Sequence, residues 1–170
     1  MLGILKILTG NLVQGPATLR FPEQAPVPPG LRGLVRMQPE RCLACGMCAY
    51  VCVSAAVSGA DRVTEYEWHY DPGKCTFCAR CADRCPGRAI ALEEAPPPSY
   101  RASGELAVTL RVPYPACPQC GKPASNFTEE WLGQAFRQVG GETREVLRLC
   151  PACRRKRTQK ALKTGLEGAK

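Results

Sequence analysis

Aromatic residues make up only 6% of this 170-residue chain, while glycine and proline contribute 16 residues each. With so few bulky apolar side chains, one large hydrophobic core is not expected. A chain of this kind is held together by staples, either disulfides or metals. There is a single histidine, His69, no glycine-rich nucleotide loop and no convincing acid–base grouping. Nothing therefore points to a catalytic site. Residues 1–13 are apolar apart from Lys6, but the stretch is too short to span a bilayer. No small-residue cleavage site follows it, so it does not read as a secretory signal.

Cysteine, by contrast, occurs twelve times. Eight of the twelve lie in two runs of one spacing: Cys42-x2-Cys45-x2-Cys48-x3-Cys52, then 22 residues, then Cys75-x2-Cys78-x2-Cys81-x3-Cys85-Pro86. Thiols this close make no sensible set of disulfides, so metal thiolates in a reducing compartment are expected. The spacing is that of two [4Fe–4S] clusters; zinc knuckles, the alternative, rarely repeat it twice. Cysteines at i, i+3 and i+6 wrap one corner of a cubane, and in two-cluster ferredoxins the fourth ligand comes from the other run. One cluster is therefore assigned to Cys42, Cys45, Cys48 and Cys85, and the other to Cys52, Cys75, Cys78 and Cys81. Val53 stands where the first run lacks the proline that follows Cys85. Its N–H is an extra donor expected to raise the potential of the cluster held by Cys52.

The remaining four cysteines, Cys117-Pro-x-Cys120-Gly and Cys150-Pro-x-Cys153, form two knuckles 29 residues apart. Four thiolates in tetrahedral geometry suit Zn2+, with mononuclear iron as the alternative and a redox disulfide pair a poor third. Either ion would staple a module too small to fold unaided. The metals also revise the charge. The formal value is +8 with neutral thiols, but each tetrathiolate centre carries about −2, so three of them leave about +2. The basic run Arg154-Arg155-Lys156-Arg157 reads as a solvated end or docking patch, and no nucleic-acid partner is expected.

Along the chain, a helix over residues 1–13 places Leu5, Leu8 and Leu12 on one side. It would lie in a membrane interface, against a membrane subunit or on a soluble partner. Pro16, Pro22, Pro26, Pro28, Pro29 and Pro39 make residues 14–40 an extended arm or a linker. Alternation from Val63 to Tyr70 predicts a strand with a bulky face, in a hairpin turning at Gly59-Ala60-Asp61. His69 is read as a half-exposed strand residue. Residues 87–92 are expected to pair beside Leu34–Met37. Leu106, Val108, Leu110 and Val112 read as a strand of a second module. Asn126 is the expected N-cap, with Glu129 three residues on, of a helix ended by Gly140-Gly141. Its Trp131 and Phe136 are expected to fill the module's small core. Glu145–Leu149 is predicted as a strand, and residues 154–170 as a helical or frayed basic tail.

The double cysteine motif resembles the eight-iron ferredoxin family. With the N-terminal apolar stretch, the Leu31-Arg32-Gly33 lead-in and the interposed strands, it resembles the ferredoxin-like subunit shared by respiratory complex I and the group 4 [NiFe] hydrogenases. The second thiolate site narrows the likeness, since the complex I version does not normally have it. With Trp68 to Ile90, including Lys74-Cys75-Thr76-Phe77-Cys78, and Cys150-Pro-Ala-Cys153-Arg-Arg-Lys, the chain is similar to the iron–sulfur subunit of formate hydrogenlyase and hydrogenase-4 type complexes. That resemblance implies an electron-transfer subunit with no catalytic site of its own. It would relay electrons from the iron–sulfur subunit of a formate or CO dehydrogenase to the large and small subunits of a [NiFe] hydrogenase. It would sit peripherally on the cytoplasmic side of the membrane, with a membrane-arm subunit near its N-terminus. A soluble ferredoxin-type carrier and a complex I-like eight-iron subunit are the alternatives. The expected fold is small, α+β and metal-stapled. Residues 1–33 form an apolar helix and proline-rich arm, and 34–95 a two-[4Fe–4S] ferredoxin domain. Residues 104–155 form a four-cysteine module of zinc-ribbon or rubredoxin-like type, and 156–170 a basic tail.

Overall fold

The computed structural model describes residues 2–15, 27–96, 104–136 and 138–167. Pro16, Pro22 and Pro26 of the expected arm, Pro97 and Pro98, and the last three residues of the tail lie outside them. Helix α1, Leu2–Gln14, contains no proline and ends at Gly15, whose φ of 66° is the left-handed turn that glycine adopts freely. Ile4, Leu5, Ile7, Leu8, Leu12 and Val13 are all exposed. The apolar surface is broader than the stripe of Leu5, Leu8 and Leu12 expected from the sequence.

The centre of the chain is one unit written twice, 33 positions apart. Strand β1 (Val35–Met37), a 3-10 turn at Pro39–Arg41, helix α2 (Met47–Tyr50) and strand β2 (Val57–Asp61) make the first copy. Strand β3 (Glu65–Tyr70), a 3-10 turn at Pro72–Lys74, helix α3 (Arg80–Asp83) and strand β4 (Ile90–Leu92) make the second. Each copy's first strand pairs with the other copy's last. β1 runs antiparallel to β4 with Met37 opposite Ile90, and β3 to β2 with Tyr70 opposite Val57. Subtracting 33 from Tyr70 and adding it to Val57 converts one register into the other. Sheet pairing thus crosses between the halves, as the ligand assignment does.

The period-2 pattern of β3 does its expected work. Tyr66, Trp68 and Tyr70 are buried, with Glu65, Glu67 and His69 half-buried on the other face. His69 Nδ1 lies 3.0 Å from Thr109 Oγ1. The hairpin turn falls at Arg62–Thr64, closed by Arg62 N–H to Glu65 C=O at 2.8 Å. It does not fall at Gly59-Ala60-Asp61, which continue β2. Gly59 serves packing there: a Cβ on it would stand 1.8 Å from Tyr66 Oη. Gly33 likewise admits the returning backbone, since its Cβ would lie 2.0 Å from Ala95 O.

Strand β5 (Val108–Pro113), expected as a strand of a second module, joins the sheet of the duplicated unit instead. It pairs antiparallel with β3 along its whole length, giving a three-stranded sheet in the order β2-β3-β5. β3 has a free edge once β2 covers the other, and Val112, 1% exposed, completes the core with Val35, Met37, Val57, Trp68 and Ile90.

The C-terminal region is helical where a strand was expected. Helix α4 spans Glu129–Ala135, and its cap is Thr128, whose Oγ1 accepts from Trp131 N–H at 3.2 Å. Asn126 is drawn away to another partner, described below. Gly140 does not end this helix but caps the next, α5, Gly141–Leu147. Glu142, Arg144 and Glu145 are good helix formers, and Leu149 alone of the expected strand is buried. Helix α6, Pro151–Glu167, starts inside the second knuckle, with proline in the first turn where no donor is lost. The basic residues 154–157 are therefore part of a helix continuous with the thiolate site. The buried cluster here is Cys117, Ala124, Leu149 and Cys150. Trp131 stacks on Phe127 at 5.1 Å and meets Phe136 edge-on, but Phe136 is exposed. These aromatics form a half-exposed cluster, not the module's core.

Candidate metal centres

Each cysteine run is coiled by left-handed backbone at equivalent positions: Ala44 and Phe77, Gly46 and Ala79, Ala55 and Arg88. Positive φ is uncommon for residues with a Cβ, and here it recurs at three paired sites. Its effect is to turn N–H groups inward onto sulfur. Ala44 N–H donates to Cys42 Sγ and Phe77 N–H to Cys75 Sγ, both at 3.4 Å. Ala89 N–H donates to Cys85 Sγ at 3.2 Å and Val57 N–H to Cys52 Sγ at 3.4 Å. Such donors favour thiolates and the negative charge of a thiolate-bound cluster.

Cys42, Cys45, Cys48 and Cys85 line a single cavity with Tyr66 and Trp68. The first three cysteines of the first run and the last cysteine of the second are thus brought together. Burial pushes Cys42 up against the Ala44 N–H, with the charges of Cys45 and Cys85 adding to the rise. Burial likewise lifts Cys48 to about 11, opposed by Trp68 and the Ala49 N–H. In the other half, burial takes Cys81 to about 11 against the Ala82 N–H, with charge from Cys75 and from Cys52 of the first run adding. Cys78, exposed, occupies the position 33 residues on from Cys45. Burial raises Cys52, but N–H groups of Val57, Ala56 and Ser54 and the Ser54 hydroxyl leave it lowered. Val53 is not among these donors to the Cys52 thiolate.

Among the described residues, two buried polar atoms at the first cavity, Tyr66 Oη and Trp68 Nε1, have no hydrogen-bond partner. Tyr66 is 4% and Trp68 1% exposed. The indole N–H favours the Cys48 thiolate without completing a bond to it. Burial, then the charges of Cys48, Cys42 and Cys45, push Tyr66 up to about 12, so its hydroxyl keeps its proton. Unpaired buried donors are rare and costly. A cavity with four converging sulfurs and two idle donors fits a [4Fe–4S] group, whose sulfurs accept hydrogen bonds. The sequence showed Tyr66 and Trp68 only as the bulky face of a strand.

The other four cysteines also converge. The sulfurs of Cys117, Cys120, Cys150 and Cys153 all lie within 4.8 Å of one another, a spacing that can hold one metal ion. The Cys150 N–H, ahead of a smaller opposing burial effect, pushes Cys117 down to about 6. The Cys153 N–H similarly lowers Cys150. Hydrogen bonds to Cys120 and Cys150 push Cys153 up to about 12. Donors aimed at Cys117 and Cys150 favour their thiolates, the form in which an ion is bound. A short loop joins this site to the first cavity. Asn126 Nδ2 donates to Cys42 O at 2.7 Å, and Glu130 pairs with Arg41.

The sequence profile of the 4Fe-4S dicluster domain matches residues 41–89. NADH-quinone oxidoreductase subunit I 2 of Geobacter metallireducens is 32% identical over 51% of this chain and 74% of its own length. The chain belongs to the subunit I family. As a member of that family it is an iron–sulfur protein of the 4Fe-4S dicluster type, and the dicluster match falls within the duplicated core. A chain in the structure of the membrane-bound sulfane sulfur reductase, an archaeal respiratory membrane complex, is similar at 28% identity over 56% of this chain, with a TM-score of 0.39. The present chain spans about half (54%) of that one.

Proposed function

We propose that this subunit I relative is an electron relay within a multi-subunit, membrane-associated oxidoreductase. Cys42, Cys45, Cys48 and Cys85 hold one [4Fe–4S] cluster, and Cys52, Cys75, Cys78 and Cys81 hold the other. The observation that carries this is the single cavity lined by three cysteines of one run and the fourth of the other. The clusters supply one-electron chemistry; the protein's part is to fix and tune them. Left-handed loops direct N–H groups at the thiolates, and the bulky face of β3 keeps water from the first cavity. Crossed ligation ties the two halves into one body and holds the clusters near each other.

The third site, Cys117, Cys120, Cys150 and Cys153, takes one ion, which we assign as zinc, with mononuclear iron the alternative. Its position beside Cys42 supports a structural role in fixing the first cluster loop. Among the described residues no helix is long and apolar enough to cross a membrane. The exposed apolar residues of α1 support peripheral attachment, on the cytoplasmic side, through a membrane-arm subunit. The extra thiolate site favours a formate hydrogenlyase or hydrogenase-4 type assembly. There the chain would pass electrons from the iron–sulfur subunit of a formate or CO dehydrogenase to the large and small subunits of a [NiFe] hydrogenase. Membership of the subunit I family supports a second reading, the eight-iron subunit of a complex I-like enzyme. Purification of the native assembly separates the two. Nickel with a formate or CO dehydrogenase chain supports the first, an NADH- or quinone-reactive assembly supports the second, and a free monomer in the soluble fraction contradicts both.

A further inference from the structure

The 33-residue repeat allows every side chain around one cysteine cavity to be compared with its counterpart around the other. The backbone equivalences are close. Cys42, Cys45, Cys48 and Cys52 map onto Cys75, Cys78, Cys81 and Cys85, and the paired residues with positive φ follow the same rule. Many side chains differ between the copies; the differences that place polar aromatic groups at the first cavity are on β3 and the residues opposite it. Tyr66 maps onto Gly33, Trp68 onto Val35, Gly59 onto Leu92 and Gly46 onto Ala79. On the first-cavity side, two aromatic donors face two glycines. On the other side, the same positions hold an apolar strand residue and a glycine facing side chains.

This exchange is built, not incidental. Gly59 opens a notch that the Tyr66 ring fills: a Cβ there would stand 1.8 Å from Oη and 2.4 Å from Cζ. The notch carries the hydroxyl to within 3.8 Å of where a Cβ of Gly46 would be, on the loop between Cys45 and Cys48. Trp68 approaches the same cavity two residues along β3. Among the described residues both buried donors are without a partner, although burying an unpaired donor is costly. The other half draws on different groups. Ser54 Oγ lies 3.7 Å from Cys52 Sγ, and Tyr70 Oη accepts from Val35 N–H at 3.4 Å.

We infer that Tyr66 O–H and Trp68 N–H are hydrogen-bond donors to the cluster held by Cys42, Cys45, Cys48 and Cys85, and that they raise its potential without touching the other cluster. This rests on the proposed ligand sets. On one-electron reduction the cluster gains one negative charge and no atom moves. A donor aimed at its sulfur stabilises the reduced form more than the oxidised form, so the potential rises. The two clusters are then separately adjustable, which gives a relay a way to set the driving force between its two stops.

The test is an EPR-monitored redox titration of the full chain loaded with iron and sulfide. Wild type is first checked for about eight irons per chain and two reducible signals; failure there removes the proposed function itself. In Tyr66→Phe, the reduced-to-oxidised ratio of one cluster at fixed potential is expected to fall about tenfold, a 59 mV lowering for one electron. The other midpoint stays put. Gly59→Ala, which closes the notch, lowers the same midpoint, and Tyr70→Phe leaves it unchanged. Two unchanged midpoints, or both moving together, overturn the inference while leaving the clusters standing. Should the variants fail to load iron, indole-15N labelling of Trp131→Phe decides the matter with Trp68 intact. A 15N coupling to a reduced cluster supports the bond, and its absence overturns it.

Discussion

Asn126→Ala tests whether the C-terminal thiolate module steadies the first cluster loop. The Asn126 amide donates to Cys42 O across 84 residues of chain, at 2.7 Å and partly buried. Removing it takes away one hydrogen bond and leaves a half-buried carbonyl short of a donor. A bond of this kind is worth about 1 kcal/mol, and more where the abandoned group stays dry. The neighbouring pair, Arg41 with Glu130, is 34% and 50% exposed; such pairs contribute about 0–1 kcal/mol and are screened by salt. Asn126 should therefore dominate. Hydrogen exchange on the loaded chain reads this directly, because local opening free energy sets amide protection. A loss of about 1 kcal/mol speeds exchange about fivefold. The affected amides are those of Cys42 and Ala44, which donate to Pro39 O and Cys42 Sγ. The equivalent amides of Cys75 and Phe77 keep their rates. Glu130→Gln gives a smaller change that vanishes in high salt. Unchanged exchange at Cys42 and Ala44 in Asn126→Ala would refute the reasoning, and so would equal acceleration in both halves.

Other outcomes follow from the same geometry. Cys150→Ser abolishes the additional ion while about eight irons per chain remain, as elemental analysis will show, and it speeds amide exchange at Cys42 and Ala44; unchanged exchange there would mean the ion does not fix the first cluster loop. Val112→Ala removes two buried methyl groups from the joint core of both sheets and costs about 2 kcal/mol, seen as a lower Tm of the loaded chain. Thr128→Ala removes the cap of α4 at about 1 kcal/mol and increases amide exchange in 129–132 without altering either midpoint.

The duplicated core was legible because its signals are local and repeated. The cysteine spacing named the cofactor, and alternation in β3 told its buried face. Residues 87–92 returned beside β1 as expected. What the chain hid was set by distant partners. Val108–Val112 reads as a strand, but only the free edge of β3 assigns it to the sheet with β2 and β3. Asn126 has the chemistry of a cap, yet the carbonyl of Cys42 takes its amide and Thr128 caps instead. Gly59 looks like a turn residue until the Tyr66 ring is seen filling the space above it. Glu145–Leu149 lacks a clear period, and helix propensity decided it. Tyr66 and Trp68 were visible as bulk, not as donors. Aligning the halves at 33 residues would have set them against Gly33 and Val35, which is the one sequence signal of their role.

Crossed ligation is the claim on which the rest depends, and single cysteine replacements followed by EPR of the reduced, loaded chain test it most directly. Cys45→Ser and Cys85→Ser should lose the same signal, and Cys78→Ser and Cys52→Ser the other. If Cys85→Ser instead loses the signal lost in Cys78→Ser, each run serves its own cluster and the account is wrong.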